Sequence, residues 1–196
     1  MKHIFSILFF LIVSILHIQA QCDPPAPPSN TCGNAPVVCN LDGWCGNSGG
    51  YTATSQPNAF CGGVENNCWV SFRAYTTFLE IEVSTSNCNN NQGVQAQILY
   101  TEDCMFFESA SNCLNPVPAE SSAILISDNL IPGAIYHIMI DGKNQDFCDF
   151  SFNVLAGLTS PLADLQEEYA MCEVDTFSLG QEIFYLDVYD LSLIHI

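Results

Sequence analysis

The sequence predicts an all-β domain, two antiparallel sheets packed as a β-sandwich and stapled by disulfides, and three observations carry that reading. Short segments alternate apolar and polar residues with a period near two, as in Phe78-Leu79-Glu80-Ile81-Glu82-Val83, where Leu79, Ile81 and Val83 share one face. Turn-forming clusters separate them: Asn89 to Gly93, Asp128-Asn129, Pro132-Gly133 and Asp141 to Asn144. Eleven cysteines stand in a chain of 196 residues that is 48% hydrophobic and 12% charged, a composition typical of secreted modules whose small cores are reinforced covalently.

The chain divides as follows. Residues 1–20 read as an export signal: Lys2 and His3 open it, Ile4 to Leu16 is almost unbroken apolar sequence, and Ala20 closes a cleavage site. The run is too short for a comfortable membrane span, and Gln21 before Cys22 departs from a lipobox. A proline-rich lead-in covers 21–34, where each ring fixes its own backbone and restrains the residue before it. The sandwich is placed at 35–157.

Within it, Val37-Val38 forms a short apolar run, followed by the glycine, asparagine and serine-rich loop Asp42 to Gly50. Trp69 to Ala74, Phe78 to Val83, Val94 to Tyr100 and Phe150 to Val154 read as half-buried strands. Ser122 to Ile126 and Ile135 to Ile140 are more evenly apolar, as central strands covered on both faces would be. The predicted interior includes Leu79, Ile81, Val83, Ile98, Ile138, Ile140, Phe152 and Val154. After a linker at 158–170, residues 171–190 read as the truncated start of a second domain with a strand from Glu182. Leu191 to Ile196 spell the in-frame translation of a transposon-end sequencing adapter, so the natural chain is expected to continue past Asp190.

Charge and residue inventory narrow the function. With three basic and 21 acidic residues the net charge is -18, a surface sign that repels phosphate backbones and anionic lipids, so nucleic acid and acidic membranes are poor partners. Of four histidines, His3 and His17 leave with the signal and His195 lies in the adapter-like tail. His137 remains, in the strand-like run Ile135 to Ile140. No GxSxG, HExxH or paired CxxC accompanies it. The expected role is therefore a non-catalytic, secreted or cell-surface module for adhesion or binding of an extracellular protein or glycan. Alternatives are an accessory domain of an exported hydrolase and a carbohydrate-binding module.

Cys22, Cys32, Cys39, Cys45, Cys61, Cys68, Cys88, Cys104, Cys113 and Cys148 form an even set, expected to pair among themselves, with Cys172 left over. Sequence leaves connectivity open; Cys45 with Cys61, and Cys104 with Cys113, are plausible because they flank short excursions between strands. Each bridge contributes roughly 2 to 4 kcal/mol, chiefly by restricting the unfolded chain.

Four blocks carry a resemblance: Cys39-Asn40-Leu41-Asp42-Gly43-Trp44-Cys45-Gly46; Phe60 to Asn67 followed by Trp69-Val70-Ser71-Phe72; Asn87-Cys88 before Gly93-Val94-Gln95; and Leu130 to Gly133 before Met139-Ile140-Asp141-Gly142. From Cys32 to Gly157 the chain resembles the N-terminal disulfide-rich module of large secreted and surface proteins of Bacteroidota, many of which carry PKD or immunoglobulin-like repeats and a gliding-motility-type C-terminal sorting domain. The last block is also similar to pre-peptidase C-terminal and CUB-like jelly rolls. The resemblance implies export and an adhesin-like context and brings no catalytic residues. Cys68 departs from it, since a small uncharged residue is expected there.

Three candidate sites follow from the residues. Asp141, Asn144, Asp146 and Asp149 cluster around one turn and offer the hard oxygens that calcium requires. Their spacing is not that of an EF-hand loop, and Asp and Asn also cap their own backbone in such turns, which is the favoured reading. Glu65-Asn66-Asn67 could hold an ion or a sugar hydroxyl, or order the entry to the strand at Trp69. Trp44 and Tyr51, in a glycine-rich loop, are candidates for stacking on a sugar ring, with Trp44 equally placed to pack beside Cys45.

Overall fold

The computed structural model describes residues 27–54 and 56–157, and the backbone of 176–179 and 182–185. The signal segment, Cys22, the linker at 158–170, Cys172 and the tail at 191–196 lie outside the described residues.

The strands are β1 (Val37–Val38), β2 (Cys45–Asn47), β3 (Cys68–Arg73), β4 (Leu79–Ser86), β5 (Val94–Tyr100), β6 (Glu108–Ser109), β7 (Leu114–Val117), β8 (Ser122–Ser127), β9 (Ile135–Gly142), β10 (Asp149–Ala156), β11 (Thr176–Leu179) and β12 (Glu182–Tyr185). One sheet runs β1-β3-β9-β5, with β6 and β7 both paired to the far edge of β5; the other runs β2-β10-β4-β8. β11 and β12 form an antiparallel hairpin. Every pair is antiparallel except β1 on β3. The expected disulfide-stabilised all-β sandwich is what the chain forms.

The core between the sheets follows from the period of two. β4 buries Leu79, Ile81, Val83 and Thr85 and turns Glu80, Glu82 and Ser84 outward. Against it stand Val70, Phe72, Ile98, Ile138 and Ile140 from the facing sheet, all at 0% exposure. Each such side chain contributes roughly 1.5 to 3 kcal/mol by leaving water. The first sheet is buried on its other face too. Trp69, Leu99 and Met139 alternate with the core residues and gather Cys32, Phe60 and Phe107 into a second apolar cluster, so the loops before β3 and after β5 lie across that face.

Three expectations need correction. Val154 is only half-buried, because the β10/β4 register shifts between Val154 and Ala156 at the margin of the sheet. The run Ser122 to Ile126 is not a central strand: β8 is the edge of its sheet, and Ile124 and Ile126 are 40% and 43% exposed. Hydrophobicity alone did not reveal that, among the described residues, no strand pairs with its far side.

The cysteine pairing is the third. The bridges are Cys32–Cys104, Cys61–Cys113 and Cys88–Cys148, and Cys39 and Cys45 are disulfide-bonded as well. Cys61 therefore does not pair with Cys45, nor Cys104 with Cys113; each instead ties one covering loop to another across 52 to 72 residues. Cys68 pairs with nothing and is buried. It opens β3 opposite Ile140 and its side chain is part of the intersheet core, where it acts as a small hydrophobe. With Cys68 removed, the set from Cys22 to Cys148 becomes odd, and Cys172 restores an even count.

Candidate functional site

The glycine-rich loop does not present its aromatic residues to solvent. Trp44 is 3% exposed and lies 5.4 Å from Phe152 and 5.9 Å from Phe150 between ring centroids. Backbone bonds from Gly43 N to Phe152 O and from Phe152 N to Trp44 O, 2.9 and 2.8 Å, hold the loop to β10. Tyr51 is half-buried and its hydroxyl donates to Pro28 O at 2.9 Å. Trp44 takes the packed place that was its alternative reading, and Tyr51 packs against the core with part of its surface exposed.

Nor does the structure bring the four turn residues together as a calcium loop. The Asp146 carboxylate accepts backbone N–H bonds from Asn90, Gln92, Gly93 and Phe147 at 2.6 to 2.9 Å. Burial pushes this carboxyl up, and the four N–H groups outweigh it and hold it below the usual range. Asp149 instead accepts from the Asn47 and Asn87 amides. Asn144 has φ +52° and donates to Gln92. Among the described residues Asp141, Asp146 and Asp149 form no group with mutually close oxygens.

Asp141 faces a different loop. Its Oδ1 accepts the backbone N–H groups of Glu65 and Asn66, both at 2.9 Å, so a fully buried carboxyl near the end of β9 caps the segment that leads into β3. Its Oδ2 has no partner, nor has Glu65 Oε2 or Gln95 Oε1, all three shut away from solvent. Burial pushes the Asp141 carboxyl up to about 7; the two N–H groups pull it down, and the Glu65 carboxyl within hydrogen-bonding reach adds to the rise. Asn66 donates to Ser48 O and Asp146 O, and Asn67 is bonded to Thr54, so the triplet Glu65-Asn66-Asn67 stitches loops.

His137 is half-buried on the covered face of β9, with Nδ1 2.7 Å from Ser71 Oγ and 3.8 Å from Cys32 Sγ. Burial lowers its pKa to about 4. Cys32 is committed to its disulfide, so the Cys32, Cys104 and His137 cluster offers one imidazole and no thiolate.

One concave surface was not foreseen. A groove of about 580 Å³ opens where the two sheets meet at the β6 and β8 margin, lined by Tyr100, Asn112, Asp128, Asn129, Ile131 and Tyr136 among others. Asn112 forms its floor: its side chain accepts Ile126 N–H and donates to Ile124 O, bolting the segment after β6 to the opposite sheet. Tyr136 is buried with its hydroxyl accepting Ile131 N–H, and Tyr100 is stacked at a tilt on it, 5.3 Å away. Ile126 and Ile131 form an exposed apolar rim, at 43% and 58%. These residues come from β5, β8, β9 and two loops, so no local motif could announce them; the hint was the Asp128-Asn129 turn beside exposed isoleucines.

Comparison of the chain with protein-family models, with curated proteins and with solved structures finds no match.

Proposed function

We propose that this domain is a non-catalytic binding module of an exported protein, and that the groove beside Tyr100 holds its extracellular ligand. The groove carries the reading. It joins a tyrosine ring pair and an isoleucine rim to the carboxylate and amide of Asp128 and Asn129, the combination of apolar faces and few fixed polar groups that small-ligand sites use. His137 lies under the covering loops and low in pKa, which fits a structural role. The tyrosine and Asp-Asn pair favours a sugar as the ligand, giving the carbohydrate-binding form of this function. A glycan array probed with the purified exported chain tests it. Binding is expected, with at least a tenfold loss in Tyr100→Ala and Asp128→Ala while both variants remain folded. An array that stays dark, or binding untouched by both substitutions, rejects the glycan reading of the groove.

A further inference from the structure

Asp141, which is buried, and Glu65, which is half-buried with its Oε2 shut away from solvent, have no cation bonded to them among the described residues. Arg73 and Lys143, the two cations of the exported chain, are bonded to Gly133 O and Asn115 Oδ1. Glu65 and Asp141 nevertheless bring their carboxyl groups within hydrogen-bonding reach of each other. Two like charges so placed out of water are costly unless a proton or a cation lies between them.

Gln95 distinguishes these two cases. It stands directly across from Asp141 in the β5/β9 register and is 1% exposed, yet its Oε1 has no donor. A proton shared by the two carboxyls leaves that amide oxygen without a donor, whereas a cation seated among the three oxygens would engage all of them. The loop above is built close: a Cβ on Gly62 would lie 1.4 Å from Gln95 Oε1, and one on Gly63 2.7 Å from Glu65 Oε1. Cys68 nearby is pushed up in pKa by burial and then by Asp141, so its sulfur stays a thiol. The available donors are hard oxygens, which suit calcium rather than zinc or copper.

We propose that Glu65 Oε2, Gln95 Oε1 and Asp141 Oδ2 form a calcium site that locks the loop from Cys61 to Asn67 onto the β5/β9 face. Three protein oxygens leave the remaining positions to water, which places the affinity in the range of about 10⁻⁴ to 10⁻³ M seen for extracellular modules. The site is distinct from the groove and from the turn at Asp146 and Asp149.

The test is the melting temperature of the full exported chain in chelator, in 10 mM magnesium and in 10 mM calcium, with calorimetric titration of calcium. A rise of about 5 °C or more in calcium is expected, with a smaller one in magnesium, since the ion binds only the folded state. Glu65→Gln, which leaves the Asp141 cap intact, should fold, melt in chelator at or above the parent temperature, and lose the calcium response. Asp149→Asn should keep it. No calcium response in the parent, or a response that survives Glu65→Gln or vanishes in Asp149→Asn, overturns the proposal.

Discussion

His137 shows how a single side chain can be chemically capable and functionally silent. The ring titrates near 6.5 when exposed and near 4 here, and it faces Ser71, Leu99 and Cys32, none of them charged. Between those values the folded protein binds fewer protons than the unfolded one, so stability is lost as pH falls from about 6.5 towards 4. Asp141, raised to about 7, contributes with the opposite sign over the same window, so the His137 contribution, at up to about 1.4 kcal/mol per pH unit, should appear in denaturant titrations as the difference between the parent and His137→Gln. Cys68 makes a second residue-scale prediction. Alkylation of the native protein should leave it unmodified, and alkylation after unfolding without reductant should label it, as mapped by mass spectrometry. Its identity was plain in the sequence; its isolation was not, because parity counts cysteines without knowing which points into an intersheet core.

At the scale of elements, what was legible was what alternates. Leu79, Ile81 and Val83 announced the inner face of β4 because their neighbours Glu80 and Glu82 could not be inside. In β8 the isoleucines and Leu125 all read as core, and the face was decided by pairing: Leu125 meets Ile81 on the buried side while Ile124 and Ile126 flank it outside. Turns were located but their purpose was hidden. Asp146 read as a backbone cap in preference to a calcium ligand, and it anchors the turn at 90–93. Asp146→Ala should cost on the order of 3 kcal/mol, because one buried and three part-buried N–H groups lose their acceptor at once. The depressed pKa makes the sign of the pH effect definite. The stabilisation is present above the ordinary aspartate range and is lost as pH falls through the lower folded value, so the parent but not the Ala variant should weaken there through this group.

For the whole molecule, the net charge of -18 works against compactness, and Arg73 and Lys143, the cations among the described residues, bond to neutral oxygens. Self-repulsion should therefore be screened by simple salt: in chelator, raising sodium chloride from about 10 mM to 150 mM, which shortens the screening length from roughly 30 to 8 Å, is expected to raise the melting temperature. A fall would point to ion pairs that dominate instead. The groove illustrates why the site was less legible than the fold. Tyr100, Asp128 and Tyr136 are neighbours only after both sheets have formed, whereas each strand could be read from its own residues.

The bridges also set how far the module can be stretched. Pulled by its ends at 27 and 157, the chain can follow a covalent short cut: five residues to Cys32, across to Cys104, back sixteen residues to Cys88, across to Cys148 and nine residues out. That path opens to roughly 120 Å at most with its two crossings of 5.8 and 4.1 Å, against about 450 Å for the same span reduced, at about 3.3 to 3.6 Å per residue. Under tension such a domain behaves as a short inextensible link, and a force-extension trace should lengthen several-fold when a reductant is added.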